Sequence, residues 1–474
     1  MNPRPAYAKI KVTYYRMENF RNGQGSAARE GIHMYHYTLP VSNKNIVEIV
    51  KRAFNMVDKR LIGHGSRVSY IVFQMLKAAD KYSSREVRDL LILAALHDIG
   101  AYKTDEIDRM VEFETNHVWN HSIYGYMFFK YFTPFEKSAP VILFHHTPWE
   151  KLKGIDKIAG PLKLSAQLIN LADRFDIYLE QAKEYRCYQT FSRYIEGCCP
   201  DRYCPEAVAL FNKADFSFLF RETSGESAGT LLNDILETEF DKVLEDVPFT
   251  EDERNSLLRM MTYAIDFRSP HTVTHTITTT VISSELARIF TGSGPEVNDI
   301  ICGAMLHDLG KIGIPSEILE FPGKLSPQAM NVMRTHVDLT EIILGDSVTR
   351  KVKDIALRHH EKLDGSGYPR GLKGCDLTVP QRIVAIADIV SALTGTRSYK
   401  DSFPKEKTCS ILNDMAERGL IDSVIVERIV ENYDVIMGAV REKATPILEI
   451  YQEMQTGYLE LLKQLTAALC CWEI

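Results

Sequence analysis

Ten of the fourteen histidines in this 474-residue chain fall into two sets with the same order: His64, His97, His121, His145 and His146, then His275, His307, His336, His359 and His360. Each set carries an Asp directly after a His, Asp98 or Asp308, and a later Asp near the end of an apolar helical stretch, Asp173 or Asp388. The spacing repeats as well. His64 to His97 is 33 residues and His275 to His307 is 32, while His146 to Asp173 is 27 and His360 to Asp388 is 28. Imidazole and carboxylate without thiolate suit iron, manganese, zinc or cobalt better than copper(I) or calcium. Any one of these histidines is more often a core or helix-end residue, but core packing does not demand His-Asp and His-His pairs in duplicate.

An Asp immediately after a metal-binding His can bridge two ions through its two oxygens. Held roughly 3.5–4 Å apart, such ions share a hydroxide that attacks phosphorus in line. Asp308 is the candidate bridge. Adjacent residues on a helix project about 100° apart, so His359-His360 on a helix is expected to serve two neighbouring centres. Both observations favour a two-metal site.

The elements that must position these groups are helical. Ser83-Ser84-Arg85-Glu86 reads as a capping box, followed by Val87, Leu90, Leu91, Ala94 and Ala95 at helical spacing, and the helix delivers His97-Asp98 at its C-terminal end. At an offset of 210 residues, Val297, Ile300, Ile301, Ala304 and Met305 lead to His307-Asp308 in the same way, which marks an internal duplication. Residues 1–38 show no sustained period and stay unassigned. The first unit spans 39–215, a connection 216–246, and the second unit 247–440, opening on a helix near Thr250-Glu251-Asp252-Glu253. After Tyr433 the pattern is long helix, broken near Pro446, and residues 441–474 form a C-terminal helix. Its stripe Leu448, Ile450, Tyr451, Met454, Tyr458, Leu461 and Leu465 serves either intrachain packing or a homodimer contact.

Composition bounds the rest. Apolar residues at 45% and charged residues at 25% fit a globular protein of two domains. A net charge of −7 argues against duplex nucleic acid, while a locally cradled phosphate ligand stays allowed. No apolar run reaches the ~20 residues of a membrane span, and Met1 to Ile10 lacks the apolar core of a secretory signal. The expectation is a cytoplasmic protein without membrane contact. Its nine cysteines, including Cys187, Cys198, Cys199 and Cys204 and the pair Cys470-Cys471, lack C-x-x-C spacing and read as free thiols.

His307-Asp308-Leu309-Gly310-Lys311, followed by His359-His360-Glu361-Lys362-Leu363-Asp364-Gly365-Ser366-Gly367-Tyr368-Pro369, resembles the paired signature of the HD-GYP phosphodiesterase family. The resemblance runs from about Val247 to Gly438. It implies an all-α fold of two tandem HD-domain bundles, the second of HD-GYP type, and two divalent ions, iron or manganese first. The implied ligands are His275, His307, Asp308, His336, His359, His360 and Asp388. Asp308 and Lys311 become the catalytic pair, with Lys311 placed to neutralise charge on phosphate oxygens. Substrate contacts are implied for Lys311, Asp364, Gly365, Gly367, Tyr368, Pro369, Arg397 and Lys400. The implied substrate is a cyclic dinucleotide, cyclic di-GMP first, opened to the linear dinucleotide pGpG or to GMP. The alternatives are a phosphohydrolase for another cyclic dinucleotide or nucleotide, and a sensor or scaffold that uses the Gly-Tyr-Pro surface for a protein partner.

Two positions depart from the family pattern. His271 stands where some members have a Glu that helps hold a third metal, so two metals are expected, with His271 an extra ligand candidate. Ser391 stands where an acidic residue is common after the last ligand Asp. The first half resembles the wider HD superfamily, with His64, His97, Asp98, His121, His145, His146 and Asp173 as a second candidate metal site. It has Ala101 in the place of Lys311, with Lys103 as a substitute only if the loop turns back, and Thr147-Pro148-Trp149-Glu150 instead of the Gly-Tyr-Pro loop. A second phosphohydrolase, a regulatory binding domain and a structural duplicate are the readings for it.

Overall fold

A computed structural model describes residues 40–56, 62–101, 119–181, 188–216, 241–270, 272–321, 323–395 and 403–469. The unassigned segment 1–38, Lys103, His271, Arg397, Lys400, Cys187, Cys470, Cys471 and most of the expected connection lie outside the described residues. The fold is all-α, and among the described residues the one β-bridge pairs Asp364 with Lys373. In chain order the first half contains α1 (Asn43–Asn55), α2 (His64–Ala79), α3 (Ser84–Ala95), α4 (Asn120–Phe132), α5 (Ala139–Phe144), α6 (Trp149–Lys153), α7 (Gly160–Gln181), α8 (Tyr188–Gly197) and α9 (Pro205–Lys213). The second contains α10 (Glu251–Asp266), α11 (His275–Thr291), α12 (Pro295–Leu306), α13 (Ser316–Leu319), α14 (Pro327–Arg334), α15 (His336–Leu344), α16 (Arg350–Leu357), α17 (Val379–Thr394), α18 (Lys405–Glu417) and α19 (Ser423–Leu469).

The local signals act as their chemistry dictates. Ser83 accepts from the Glu86 N–H while Glu86 reaches back to the Ser83 N–H, closing the expected capping box at the start of α3. Thr250 and Glu253 do the same for α10. The apolar faces of α3 and α12 are buried, and each helix ends just before its His-Asp pair. There a glycine lets the chain press against the next ligand. A Cβ on Gly100 would sit 2.1 Å from the carbonyl oxygen of His121, and one on Gly310 would sit 1.9 Å from that of His336. Only glycine fits either place.

The two halves share one continuous core. Phe132 on α4 packs against Tyr263 and Phe267 from α10 and its end. The buried Arg88 of α3 donates to both Glu253 carboxylate oxygens, at 3.1 and 3.3 Å, and lies over the Phe249 ring. Phe216 and Leu244, near the two ends of the stretch read as a connection, are buried.

The C-terminal helix departs from the expectation. α19 starts at Ser423 and runs 47 residues without a break through Pro446, about 70 Å at the usual rise. Proline inside a helix costs about 3 kcal/mol, but Val440, Ala444, Ile447 and Ile450 around it are buried, and that packing outweighs the lost hydrogen bond. Of the stripe, Ile450, Met454, Leu461 and Leu465 are buried, whereas Leu448 is exposed and does not belong to it. The stripe packs within the chain. Tyr451 meets Phe267 edge-on, Tyr458 stacks on Tyr124 at 4.6 Å, and the Tyr458 hydroxyl donates to Asn120 Oδ1 at 2.6 Å.

Candidate metal centres

In the second half, helix ends bring the ligands together. His275 opens α11, His307 closes α12, His336 opens α15, His359 and His360 follow α16, and Asp388 projects from α17. His307, His336 and His359 each have Nδ1 at 2.6–2.7 Å from the carbonyl oxygen three residues earlier, on Ala304, Met333 and Ala356. A carbonyl only accepts, so each Nδ1 carries the proton and each Nε2 is free to ligate. His275 is held differently, with Nδ1 at 3.0 Å from Ser391 Oγ.

Asp308 sits between two groups of nitrogens. Its Oδ2 is 3.1 Å from His275 Nε2 and 3.1 Å from His307 Nε2. Its Oδ1 is 3.4 Å from His336 Nε2 and 3.9 Å from His359 Nε2. Asp388 closes the ring, with Oδ1 3.2 Å from His275 Nε2 and Oδ2 3.5 Å from His360 Nδ1. His275, His307 and Asp308 form one group whose ligand atoms lie within 4.8 Å of one another, and His336, His359 and His360 form another.

The structure corrects the premise of one expectation, that this pair lies on a helix. His359 and His360 both group with His336, with ring centroids 4.0 Å apart, while His360 Nδ1 also lies 3.5 Å from Asp388 Oδ2. The 100° argument applies within a helix, and α16 has ended at Leu357, so both residues lie in a turn. His145 and His146 follow α5 in the same way and join one group with Asp98 and His121.

The first half repeats the plan. His64, His97 and Asp98 form its other group. His97 and His145 place Nδ1 at 2.7 and 2.6 Å from the Ala94 and Ile142 carbonyls. Asp98 Oδ2 is 3.3 Å from His97 and 3.6 Å from His64, and its Oδ1 is 3.5 Å from His121 and 3.6 Å from His145. Asp173 Oδ1 lies 3.5 Å from His64 Nε2.

Three surrounding residues of this half were not legible as site residues in the sequence. Asp176 accepts from His64 Nδ1 at 2.8 Å and also from Arg67 at 2.6 and 2.9 Å. The Arg174 guanidinium lies 2.6 Å from Asp173 Oδ2. One signal was available: Asp176 stands three residues after Asp173, as Ser391 stands three after Asp388.

Electrostatics prepare these atoms for cations. Burial pushes the His97 imidazole down to about 4 and that of His360 to about 3, and it also lowers His146, His336 and His359, so all five are neutral at neutral pH, the form that can ligate a cation. His275 goes the other way. Burial opposes its charge, but hydrogen bonds to Asp308 and Asp388 carry it up to about 9. Burial also opposes the Asp308 charge, and His307 and Lys311 more than offset this, holding the carboxyl well below its usual range.

The Lys311 side chain is 18% exposed, and Nζ lies 2.5 Å from Asp308 Oδ2. Ala101, at the matching place in the first half, is buried. The Gly-Tyr-Pro loop is fastened by Glu361, which accepts from the Arg370 N–H at 2.8 Å and the Leu372 N–H at 2.9 Å. Asp364 accepts from the Ser366 N–H and hydroxyl, and so shapes the loop from its exposed side. Gly365 has φ 84°, and a Cβ on Gly367 would lie 2.5 Å from the Glu361 Cα. Tyr368 rests against His360 with ring centroids 4.6 Å apart, and Pro369 follows through a cis peptide bond.

The donor sets fit divalent cations. Asp98 Oδ1, His97 Nε2, His146 Nε2 and Asp308 Oδ1 are buried without a hydrogen-bond partner, an arrangement costing roughly 1–3 kcal/mol for each polar atom. A cation between converging, orphaned imidazole and carboxylate atoms relieves that cost. Among the described residues no cysteine joins a ligand group, and no helix is long and apolar enough to cross a membrane.

Known proteins resemble this chain. A family model described as an HD domain matches residues 61–178, and another of the same description matches residues 259–425. The 3′3′-cGAMP-specific phosphodiesterase 1 of Vibrio cholerae is 29% identical over 406 residues, 81% of this chain and 90% of the relative. A cyclic di-GMP phosphodiesterase of Thermotoga maritima is 38% identical over 160 residues, 33% of this chain and 44% of that protein. The crystal structure of a cyclic GMP-AMP specific phosphodiesterase from Vibrio cholerae matches 85% of this chain and 98% of its own with a TM-score of 0.51, and at 19% identity it speaks for the fold alone. The chain thus carries two HD domains in tandem and is homologous to bacterial cyclic dinucleotide phosphodiesterases.

Proposed function

We propose that the second half hydrolyses a 3′,5′ phosphodiester of a cyclic dinucleotide at the ligand set His275, His307, Asp308, His336, His359, His360 and Asp388. The observation that carries this reading is Asp308, whose two oxygens face two separate histidine groups while Lys311 contacts the same carboxylate. Two divalent cations, iron or manganese, would supply Lewis acidity and lower the pKa of an attacking water. Asp308 holds the two groups in register. Lys311 keeps its charge at this carboxylate, where it can answer charge accumulating on a phosphate oxygen. Tyr368 and the loop fastened by Glu361 form one wall beside His360, and Asp364, Gly365, Gly367 and Pro369 set its shape.

Cyclic di-GMP, the substrate expected from the motif resemblance, is the first reading. A specific observation favours a second: the Vibrio cholerae relative that aligns over 90% of its own length, across most of this chain, is named for 3′3′-cGAMP. The test loads the full chain anaerobically with iron(II) or manganese(II) and follows both substrates by chromatography, in the wild type and in Asp308→Ala. Linear product from the wild type but not from the variant supports the reading, and the ratio of kcat/KM values selects the substrate. Binding without cleavage by the metal-replete wild type would favour a sensor instead.

A further inference from the structure

Arg334 takes no part in the contacts described so far. It is the last residue of α14, a helix with no buried residue, and it stands two residues before the ligand His336. A basic side chain at a helix C-terminus ordinarily answers to the dipole and the last carbonyls. Here those carbonyls have other donors. The Thr335 N–H and hydroxyl donate to the Val332 oxygen at 3.0 and 2.7 Å, and the His336 Nδ1–H donates to the Met333 oxygen at 2.7 Å. The Arg334 guanidinium instead lies 5.0 Å from the centroid of the Tyr368 ring, with no hydrogen bond or ion pair to any described residue.

The three side chains Arg334, Tyr368 and His360 therefore run from the exposed rim to the ligand group. Among the described residues, two nearby cations are already paired. Arg370 pairs with Glu341 at 3.1 Å, and Lys311 pairs with Asp308. A cyclic dinucleotide carries two phosphodiesters, and only one can lie at the ligand set. The second is an anion in need of a partner near the rim. A guanidinium fork layered on an aromatic ring suits it, because the ring holds the plane while the edge still presents paired donors.

Resting on the function proposed above, we propose that Arg334, positioned by Tyr368, binds the phosphodiester of the cyclic dinucleotide that is not being cleaved. The experiment uses the metal-loaded full chain as wild type, Arg334→Ala and Arg334→Lys. KM, kcat and Kd are measured for cyclic di-GMP and 3′3′-cGAMP, Kd for cyclic di-AMP, and turnover for bis(p-nitrophenyl) phosphate, which has a single phosphodiester. Arg334→Ala is expected to raise KM and Kd about tenfold, the usual scale of one charge-assisted pair, with a smaller change in kcat. Arg334→Lys recovers part of the loss, and bis(p-nitrophenyl) phosphate is affected far less.

An unchanged KM and Kd in Arg334→Ala overturns the assignment, as does a fall in kcat with lost metal at constant KM. Weakening confined to guanine-containing ligands, with cyclic di-AMP unaffected, overturns it in favour of a base contact. A wild type that binds but does not cleave refutes the catalytic reading, and the Kd ratio then decides Arg334 on its own. A wild type that neither binds nor cleaves refutes both.

Discussion

His64 and His275 open equivalent helices in the two halves, and their Nδ1 atoms meet different partners. His64 donates to the Asp176 carboxylate, which Arg67 also holds, whereas His275 meets the Ser391 hydroxyl. The contrast continues around each centre. Arg174 pairs with the ligand Asp173 in the first half, while Ile389 occupies the corresponding place in the second. Ala101 stands where the second half has Lys311, and Thr147-Pro148 where it has the Glu361-fastened loop. The first half thus sets Arg174 against Asp173 and Arg67 against Asp176, while the second sets Lys311 against Asp308 and adds the Glu361-fastened loop. A ligand plan can be duplicated while its chemistry diverges, because substrate is handled by residues around the ligands.

The largest effect should separate the halves outright. Asp308→Ala is predicted to lower cyclic dinucleotide turnover by roughly a thousandfold, several kcal/mol of barrier, while Asp98→Ala stays within a few-fold. Chromatography of both variants with metal analysis checks this, and equal losses would break the comparison. Next in size, Lys311→Ala should cost roughly a hundredfold in kcat, the scale of one electrostatic group acting on developing charge, with metal content retained. A loss of metal alongside activity would make Lys311 a structural partner of Asp308.

A third prediction sharpens the contrast at the outer contacts. Asp176→Asn should weaken metal binding in the first half about 10- to 100-fold, whereas Ser391→Ala should change the second half only a few-fold, since a carboxylate partner polarises a ligand imidazole more than a hydroxyl does. Competition with a chelator reads both. The smallest effect is a proton count. His275 is carried up to about 9 in the metal-free protein, so loading the second centre at pH 7 should release close to one proton from it. Calorimetry in two buffers of different ionisation enthalpy would show the release, and its absence would mean that His275 is neutral before metal arrives.

Much of this was legible in the chain itself. The ordered histidines, the His-Asp pairs and the 210-residue offset named the candidate ligands of both halves, because donor chemistry is a property of residue type. The helices preceding each His-Asp pair followed from apolar spacing and, at Ser83, from a capping box. Proximity in sequence misled at His359-His360, where the helix had already ended, and at Pro446, where burial of neighbouring residues kept α19 intact. Asp176 and Ser391 reach their histidines across more than a hundred residues, and Arg334 meets Tyr368 only after two segments fold together.

The sequence by itself therefore determined which atoms can hold metal and the all-α frame that carries them, since both rest on residue identity and local period. The tertiary structure alone decided which histidines lie together, which residues orient them, and that the two halves are joined through one core by α19 and the Arg88–Glu253 pair. Those outcomes depend on long-range packing, where burial energy selects among arrangements that local spacing leaves equally allowed.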